Sequence, residues 1–198
     1  MAGARANVKP DAPGQSAVLL TQVAARLDAL SIPYAVIGGL AASFHGVVRS
    51  SLDADVVISV SSREANVTPL LRDLKEAGWK VVEKQGGFQD PVVSVIAVSD
   101  EFSNRVDILT GIRGMAGDFH SRTLPASLFG QNLRIVGLED FIAMKLFVGG
   151  PQDLADARAA LEVSSSALDP PLLERLAAGY GRSVVQSLKE LLGRAGIR

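Results

Sequence analysis

The segment YAVIGGLAASFHGVVRSSLDADVVI, residues 34–58, is the most informative part of the sequence. It opens with Tyr34–Ile37, which predicts a short buried strand, followed by a sharp turn at Gly38-Gly39 and a short helix over 40–45. After a loop, Asp53–Ser59 predicts a second strand rich in valine and isoleucine. A pair of carboxylates therefore stands at the start of a strand, shortly after a glycine turn.

The carboxylates of Asp53 and Asp55 are separated by one residue, so on a strand both point to the same face of the sheet. The apolar residues Ala54, Val56 and Ile58 would point to the opposite face, toward the core. Two carboxylates held side by side repel each other, and this repulsion costs stability unless a cation lies between them. The pattern indicates a cation site at the start of the strand.

A third candidate carboxylate is Asp107, in the predicted strand Arg105–Leu109. Its apolar neighbours are typical of a buried strand, so Asp107 would project from the opposite face. If this strand lies near the Asp53 strand, three carboxylates converge. Three such oxygen donors are what two Mg²⁺ ions need for an in-line phosphoryl or nucleotidyl displacement.

The glycine turn supplies the other half of such a site. Gly38 and Gly39 have no Cβ atom, so their backbone can approach a ligand closely. The helix that follows would offer free N–H groups and the positive end of its dipole to phosphate oxygens. Phosphates on the turn would then lie beside metal ions on the aspartates.

The composition excludes several other kinds of site. The 198 residues include no cysteine and two histidines, which excludes disulfide frameworks, iron–sulfur clusters and cysteine-based zinc sites. A bound metal is then expected to be a hard cation held by carboxylate oxygens. With 20 Lys and Arg against 21 Asp and Glu, the chain also lacks the basic excess of a dedicated non-specific nucleic-acid binder.

The predicted organisation is a disordered N-terminal arm over 1–15, an α+β core over 16–125 and a mostly helical C-terminal part over 126–198. The arm lacks a signal-like apolar stretch, and no apolar run approaches the roughly 20 residues that span a bilayer, so we expect a cytoplasmic protein without membrane contact. Ser16 is predicted to cap the first helix, and Ser61–Glu64 has the pattern of a capping box. Further strands are predicted over 79–82, 92–98, 105–109 and 133–136, and further helices over 138–147, 153–161, 171–178 and 183–192.

These motifs resemble the nucleotidyltransferase fold of the DNA polymerase β type. The signature of that fold is an apolar residue, Gly, then Gly or Ser, a spacer and Asp-x-Asp. Here Ile37-Gly38-Gly39 is followed by thirteen residues and then by Asp-Ala-Asp at 53–55. The resemblance covers roughly residues 15–161 and implies a mixed β-sheet flanked by helices, with a helical C-terminal part.

Within this fold, the sequence looks most like the AbiEii-type branch of bacterial nucleotidyltransferase-like proteins. The likeness rests on His45-Gly46 and Arg49 between the glycine turn and the aspartates. It also rests on LEDFIAMKL at 138–146, which is followed by DLAD at 153–156.

The resemblance implies Mg²⁺-dependent transfer of a nucleoside monophosphate from an NTP to an acceptor, with Mn²⁺ as an alternative metal. RNA ends, protein hydroxyls and small molecules such as aminoglycosides are candidate acceptors. Proteins of this branch often act as toxins paired with an antitoxin partner. By resemblance, the catalytic and metal-binding positions are Asp53, Asp55 and Asp107, and the nucleotide- or phosphate-binding positions are Gly38, Gly39, Arg49, Ser51 and Lys145. Ser51 stands where the branch commonly has Thr, so the hydroxyl is kept.

Several assignments have a structural alternative. Arg49 could bind phosphate or pair with a nearby carboxylate, and Lys145 could instead form an ion pair with Asp156. His45 could cap helix carbonyls or contact the base or acceptor. The whole chain could also be an NTP-binding module without transfer activity, or an interaction protein of the same fold.

Overall fold

A computed structural model describes residues 8–49, 51–59 and 63–196, with the side chains of 63–66 left out. Part of the predicted arm, residues 1–7, lies outside the described residues. The predicted capping box at Ser61–Glu64 also lies outside the side chains that are described.

Seven strands and seven α-helices make up the described chain, and the α+β prediction with C-terminal helices is confirmed. In chain order they are α1 (Ser16–Ala29), β1 (Tyr34–Ile37), α2 (Gly38–Phe44), β2 (Ala54–Ile58), α3 (Arg63–Glu76), β3 (Lys80–Gln85), β4 (Ser94–Ser99), β5 (Arg105–Leu109), β6 (Leu124–Leu128), β7 (Gln131–Ile135), α4 (Leu138–Val148), α5 (Pro151–Ser164), α6 (Pro170–Tyr180) and α7 (Arg182–Ala195). Short 3-10 helices span Phe119–Arg122 and Ser165–Ala167.

The strands form one mixed sheet in the order β3-β4-β5-β2-β1-β7-β6. The central strand β2 runs antiparallel to β1 and parallel to β5. In this register Asp55 lies opposite Ile37 on one side and opposite Asp107 on the other. The sheet therefore brings the end of β1, the start of β2 and β5 together.

At the centre of the sheet the core lies on both faces, since every residue of β1 and every residue of β2 except Asp55 is buried. Ala54, Val56 and Ile58 are buried, as their spacing predicts, while Asp55 between them is only partly buried. Helix α1 packs on β2, β5 and β7, and α4 contacts α5, α6 and α7 to form the centre of the C-terminal helices.

The sheet extends beyond the boundary predicted at residue 125. That boundary falls inside β6, and β7 pairs in parallel with β1 through Val36 and Ile135. Strand β6 has no predicted counterpart because its residues Leu124–Leu128 are mostly exposed and show no apolar alternation. The division of the chain into domains stays a prediction.

The entry into α1 differs from the sequence expectation. Gln15 occupies the N-cap position, and the Ser16 hydroxyl instead accepts a hydrogen bond from the backbone N–H of Arg105 at 3.0 Å. Ahead of the helix, Asn104 accepts from the Gln15 backbone N–H and donates to the Ala12 carbonyl. The last residues of the predicted arm are therefore fixed to the β4–β5 connection.

Across the described ranges, no helix combines the length and the apolar composition that crossing a bilayer requires.

Candidate active site

The three predicted aspartates lie at one end of the central strands. Asp55 and Asp107 are direct partners on the parallel strands β2 and β5, and Asp53 immediately precedes β2. The strand pairing on which the sequence made the convergence conditional is therefore present in the sheet.

The electrostatics of Asp55 reflect this crowding. Burial, followed by the negative charges of Asp107 and Asp53, raises the pKa of Asp55 to about 6, although Lys145 and Arg49 act in the opposite direction. The carboxylate is ionised at neutral pH only at a cost. A cation bound by Asp55 and Asp53 would relieve that cost, so the donor set fits a hard divalent metal.

Asp107 is engaged by a neighbour that the sequence analysis did not single out. Arg105 donates from Nε to Oδ1 at 2.8 Å and from Nη2 to Oδ2 at 2.9 Å. This hydrogen bond is the main reason why the pKa of Arg105 is raised. Within the described part of the chain, no three acidic or histidine side chains are arranged to surround a metal ion. The two-residue spacing of Arg105 and Asp107 on a predicted strand was the signal that could have revealed this ion pair.

The predicted turn and helix differ from the structure, because Gly38 and Gly39 are the first two residues of α2 and the helix ends at Phe44. This glycine pair, called the glycine turn below, is shaped by the side chains around it. Gly38 has φ +65°, and a Cβ atom there would collide with the Asp55 carboxylate. A Cβ atom on Gly39 would lie 2.5 Å from the Cβ of Ser51, whose hydroxyl donates to the Asp53 carbonyl at 2.7 Å. The two glycines therefore let the aspartate strand and the preceding loop pack directly on the turn.

The Gly38→Ala variant is expected to be destabilised by about 3 kcal/mol, since it adds both left-handed backbone strain and a collision with Asp55. Gly78→Ala is a matched control, because Gly78 has φ +84° but open space around it. The control should lose only about 1 kcal/mol, from backbone strain. Urea unfolding of both variants measures the difference, and equal losses would show that Asp55 does not press on the turn.

Arg49 and Lys145 both pair with Asp156, which is fully buried. Arg49 Nη1 lies 2.7 Å and Lys145 Nζ 2.9 Å from Asp156 Oδ2, and Lys145 also reaches Asp153 at 2.7 Å. Gln152 donates to the other oxygen of Asp156 at 2.8 Å. Burial raises the pKa of Asp156, but the hydrogen bonds from Lys145, Gln152 and Arg49 leave it below its usual value. Arg49 and Lys145 thus both form the ion pairs with a carboxylate that the sequence left open as an alternative to phosphate binding.

The two histidines lie away from the aspartates in different settings. His45 is buried, with Nε2 2.9 Å from the Val136 carbonyl and its ring against Phe141. Burial lowers its pKa, so the ring is neutral at pH 7. His45 therefore has a structural role, although its carbonyl partner belongs to the segment after β7 rather than to its own helix. His120 is exposed in the 3-10 helix and makes an edge contact with Phe119.

A family model described as a nucleotidyltransferase of unknown function (DUF6036) matches residues 16–192. The chain belongs to this nucleotidyltransferase family. The resemblance to the nucleotidyltransferase fold is thus confirmed, while the AbiEii-type branch stays a prediction. No curated protein is similar enough in sequence to count as a match.

Solved structures support the same fold for this nucleotidyltransferase. An antigenic nucleotidyltransferase-like protein from Paracoccidioides brasiliensis superposes with a TM-score of 0.55 at 16% identity, over 95% of this chain and 92% of that one. The antibiotic-resistance factor ANT(2'')-Ia gives a TM-score of 0.53 at 16% identity, over 92% and 96%. Its crystal structure with adenylyl-2''-tobramycin gives 0.53 at 17% identity, over 84% and 96%. At these identities the likeness establishes the fold.

Proposed function

We propose that this nucleotidyltransferase moves a nucleoside monophosphate from an NTP to an acceptor hydroxyl and releases pyrophosphate. The observation that carries the proposal is the contact between the partly buried Asp55 carboxylate and the Gly38-Gly39 turn, with Asp53 and Asp107 beside it. An alternative role as an interaction protein would give no reason to keep three carboxylates crowded at one end of the sheet.

Asp53 and Asp55 are the proposed metal ligands, with Asp107 as the third carboxylate. The proposed metal is Mg²⁺, with Mn²⁺ as an alternative, because the donors are oxygens and no cysteine is present. When bound, such a cation would neutralise charge on the phosphates and on the attacking and leaving oxygens.

The remaining site residues would orient the reactants. The backbone of Gly38 and Gly39, with the Ser51 hydroxyl beside it, would contact the phosphates. The acceptor oxygen would form a bond to the α-phosphorus and pass its proton to Asp107. The bond from the α-phosphorus to the bridging oxygen would break, and pyrophosphate would leave with that electron pair. Positioning and charge stabilisation would supply most of the rate enhancement.

Arg49 and Lys145 are proposed to position the site rather than to bind phosphate directly. Arg49 belongs to the loop that precedes the aspartates, and its guanidinium is held by Asp156 on α5. Lys145 on α4 holds the same carboxylate. The ion pairs therefore connect the loop to the C-terminal helices, and they lie close enough to Asp55 to favour its ionised form.

The acceptor can be RNA, a protein hydroxyl or a small molecule. ANT(2'')-Ia, which shares the fold, has been crystallised with adenylyl-2''-tobramycin, so a small hydroxyl compound is one reasonable class. A toxin role with an antitoxin partner, as in the AbiEii-type branch, is a second proposal, as is a cytoplasmic location.

The test is transfer of label from each α-labelled NTP in the presence of Mg²⁺ and a cell extract fractionated into RNA, protein and small molecules. Wild type is expected to label one fraction, and the Asp53→Asn/Asp55→Asn double variant none. Equal labelling by both proteins would refute the assignment of the aspartates. Mg-NTP binding by calorimetry without any labelled product would identify a binding module instead.

A further inference from the structure

Arg105 is a charged residue beside the aspartates whose presence the proposed function does not explain. Its guanidinium engages both oxygens of Asp107 at 2.8 and 2.9 Å. Two parallel N–H···O bonds between an arginine and a carboxylate are among the strongest polar contacts in proteins. The third carboxylate of the site is thus held by a permanent positive charge.

The ion pair is fixed by the strand on which both residues lie. Arg105 and Asp107 are two apart on β5, so their side chains share a face of the sheet. The backbone of Arg105 is anchored on one side by pairing with Ser99 on β4 and on the other by the hydroxyl of Ser16 on α1. The backbone position from which the Arg105 side chain extends is therefore fixed.

Among the described residues, no other cation is a direct partner of Asp107 across the sheet. Its direct partners there are Asp55 on β2 and Ala97 on β4. Asp55 adds negative charge, and Ala97 carries no charge. Arg105 therefore offsets the charge of Asp107. A divalent cation shared with Asp53 and Asp55 would offset the same charge.

We propose that Arg105 competes with the divalent cation for the Asp107 carboxylate and thereby sets the metal affinity of the site. The inference rests on the proposed function, since it takes Asp53 and Asp55 as metal ligands. Asp107 joins them around a cation only when the guanidinium of Arg105 releases it. Arg105 is thus a positioning residue that acts through Asp107.

The test is calorimetric binding of Mn²⁺ in the absence of nucleotide. The Arg105→Gln variant is expected to bind Mn²⁺ about tenfold more tightly than wild type, because the Asp107 carboxylate is freed from the guanidinium. Arg158→Gln is a matched control, since Arg158 is an exposed arginine that pairs with Glu162 outside the site. It should leave the affinity unchanged.

A double variant separates the ion pair from a general effect of charge. In the Asp107→Asn background, Arg105→Gln is expected to change Mn²⁺ affinity less than about twofold, since the carboxylate for which the two cations compete is gone. A tenfold gain that persists in this background would overturn the inference. So would an Arg105→Gln variant that binds Mn²⁺ no better than wild type.

These outcomes are distinct from failure of the proposed function. Tighter Mn²⁺ binding by Arg105→Gln, with no labelled product in any fraction, would support the competition and refute the transfer activity. If neither wild type nor Arg105→Gln nor the Arg105→Gln/Asp107→Asn double variant binds Mn²⁺, the inference and the metal assignment are both refuted.

Discussion

The Asp55→Asn variant is expected to transfer nucleotide at least about 10³-fold more slowly than wild type, a loss of about 4 kcal/mol in transition-state stabilisation. Asp55 is the carboxylate that packs on the glycine turn and lies between Asp53 and Asp107. Asparagine keeps the size of the side chain but removes the charge that would hold a divalent cation. Single-turnover transfer of α-labelled NTP measures the change.

The same substitution is expected to stabilise the fold at alkaline pH. Burial and two neighbouring carboxylates raise the pKa of Asp55 from 3.8 to about 6. A carboxyl group with a raised pKa contributes stability below about pH 4, and that contribution is lost as the pH rises through about 6. The wild type thus loses up to about 3 kcal/mol across this window, and asparagine removes the loss.

Urea unfolding in EDTA at pH 4 and pH 8 measures this effect without bound metal. Asp55→Asn should be more stable than wild type at pH 8 and equal to it at pH 4. Glu83→Gln, which neutralises an exposed carboxylate on the edge strand β3, should give no such difference. A gain in stability of the same size at both pH values would show that ionisation of Asp55 is not its cause.

Nucleotide transfer by the Asp55→Asn variant at a rate within tenfold of wild type would contradict the assignment of Asp55 to the catalytic site.

The second large effect is expected from Lys145→Met. Asp156 has no exposed surface, and Lys145 is one of the two cations that compensate its charge. Removing one partner of a buried ion pair leaves an under-compensated charge in the core, at a cost of about 3–5 kcal/mol. The surface substitution Arg158→Gln should leave the stability essentially unchanged, because its ion pair is exposed.

A double variant distinguishes a structural role of Lys145 from direct phosphate binding. Lys145→Met/Asp156→Asn is expected to recover at least about 2 kcal/mol relative to the sum of the single losses, since the fully buried position 156 no longer carries a charge. Urea unfolding of the four proteins gives the coupling free energy. A stable Lys145→Met protein with strongly weakened NTP binding would instead identify Lys145 as a phosphate ligand.

The local parts of the fold were open to prediction from sequence. The predicted strands 34–37 and 105–109 have the observed bounds, because short runs of alternating or continuous apolar residues mark them directly. Strand β6 was missed because it lies at the sheet edge, where its residues are exposed and its stability comes from pairing with β7. When neither face of a strand is buried, its amino-acid sequence shows no apolar alternation from which the strand could be predicted.

The residues of the candidate site also separate into those that local sequence patterns predict and those whose contacts depend on the fold. The spacing of Asp53 and Asp55 and the need for glycine at position 38 could be read locally, because the two-residue period of a strand and the absence of a Cβ atom are local properties, although the two glycines begin α2 rather than forming a separate turn. The carboxylate partners of Arg49, Lys145 and Arg105 depend instead on the tertiary structure. Arg49 and Asp156 are 107 residues apart in sequence, and only the packing of α5 brings them together. Long charged side chains reach in many directions, so the fold around them selects the carboxylate that each one binds.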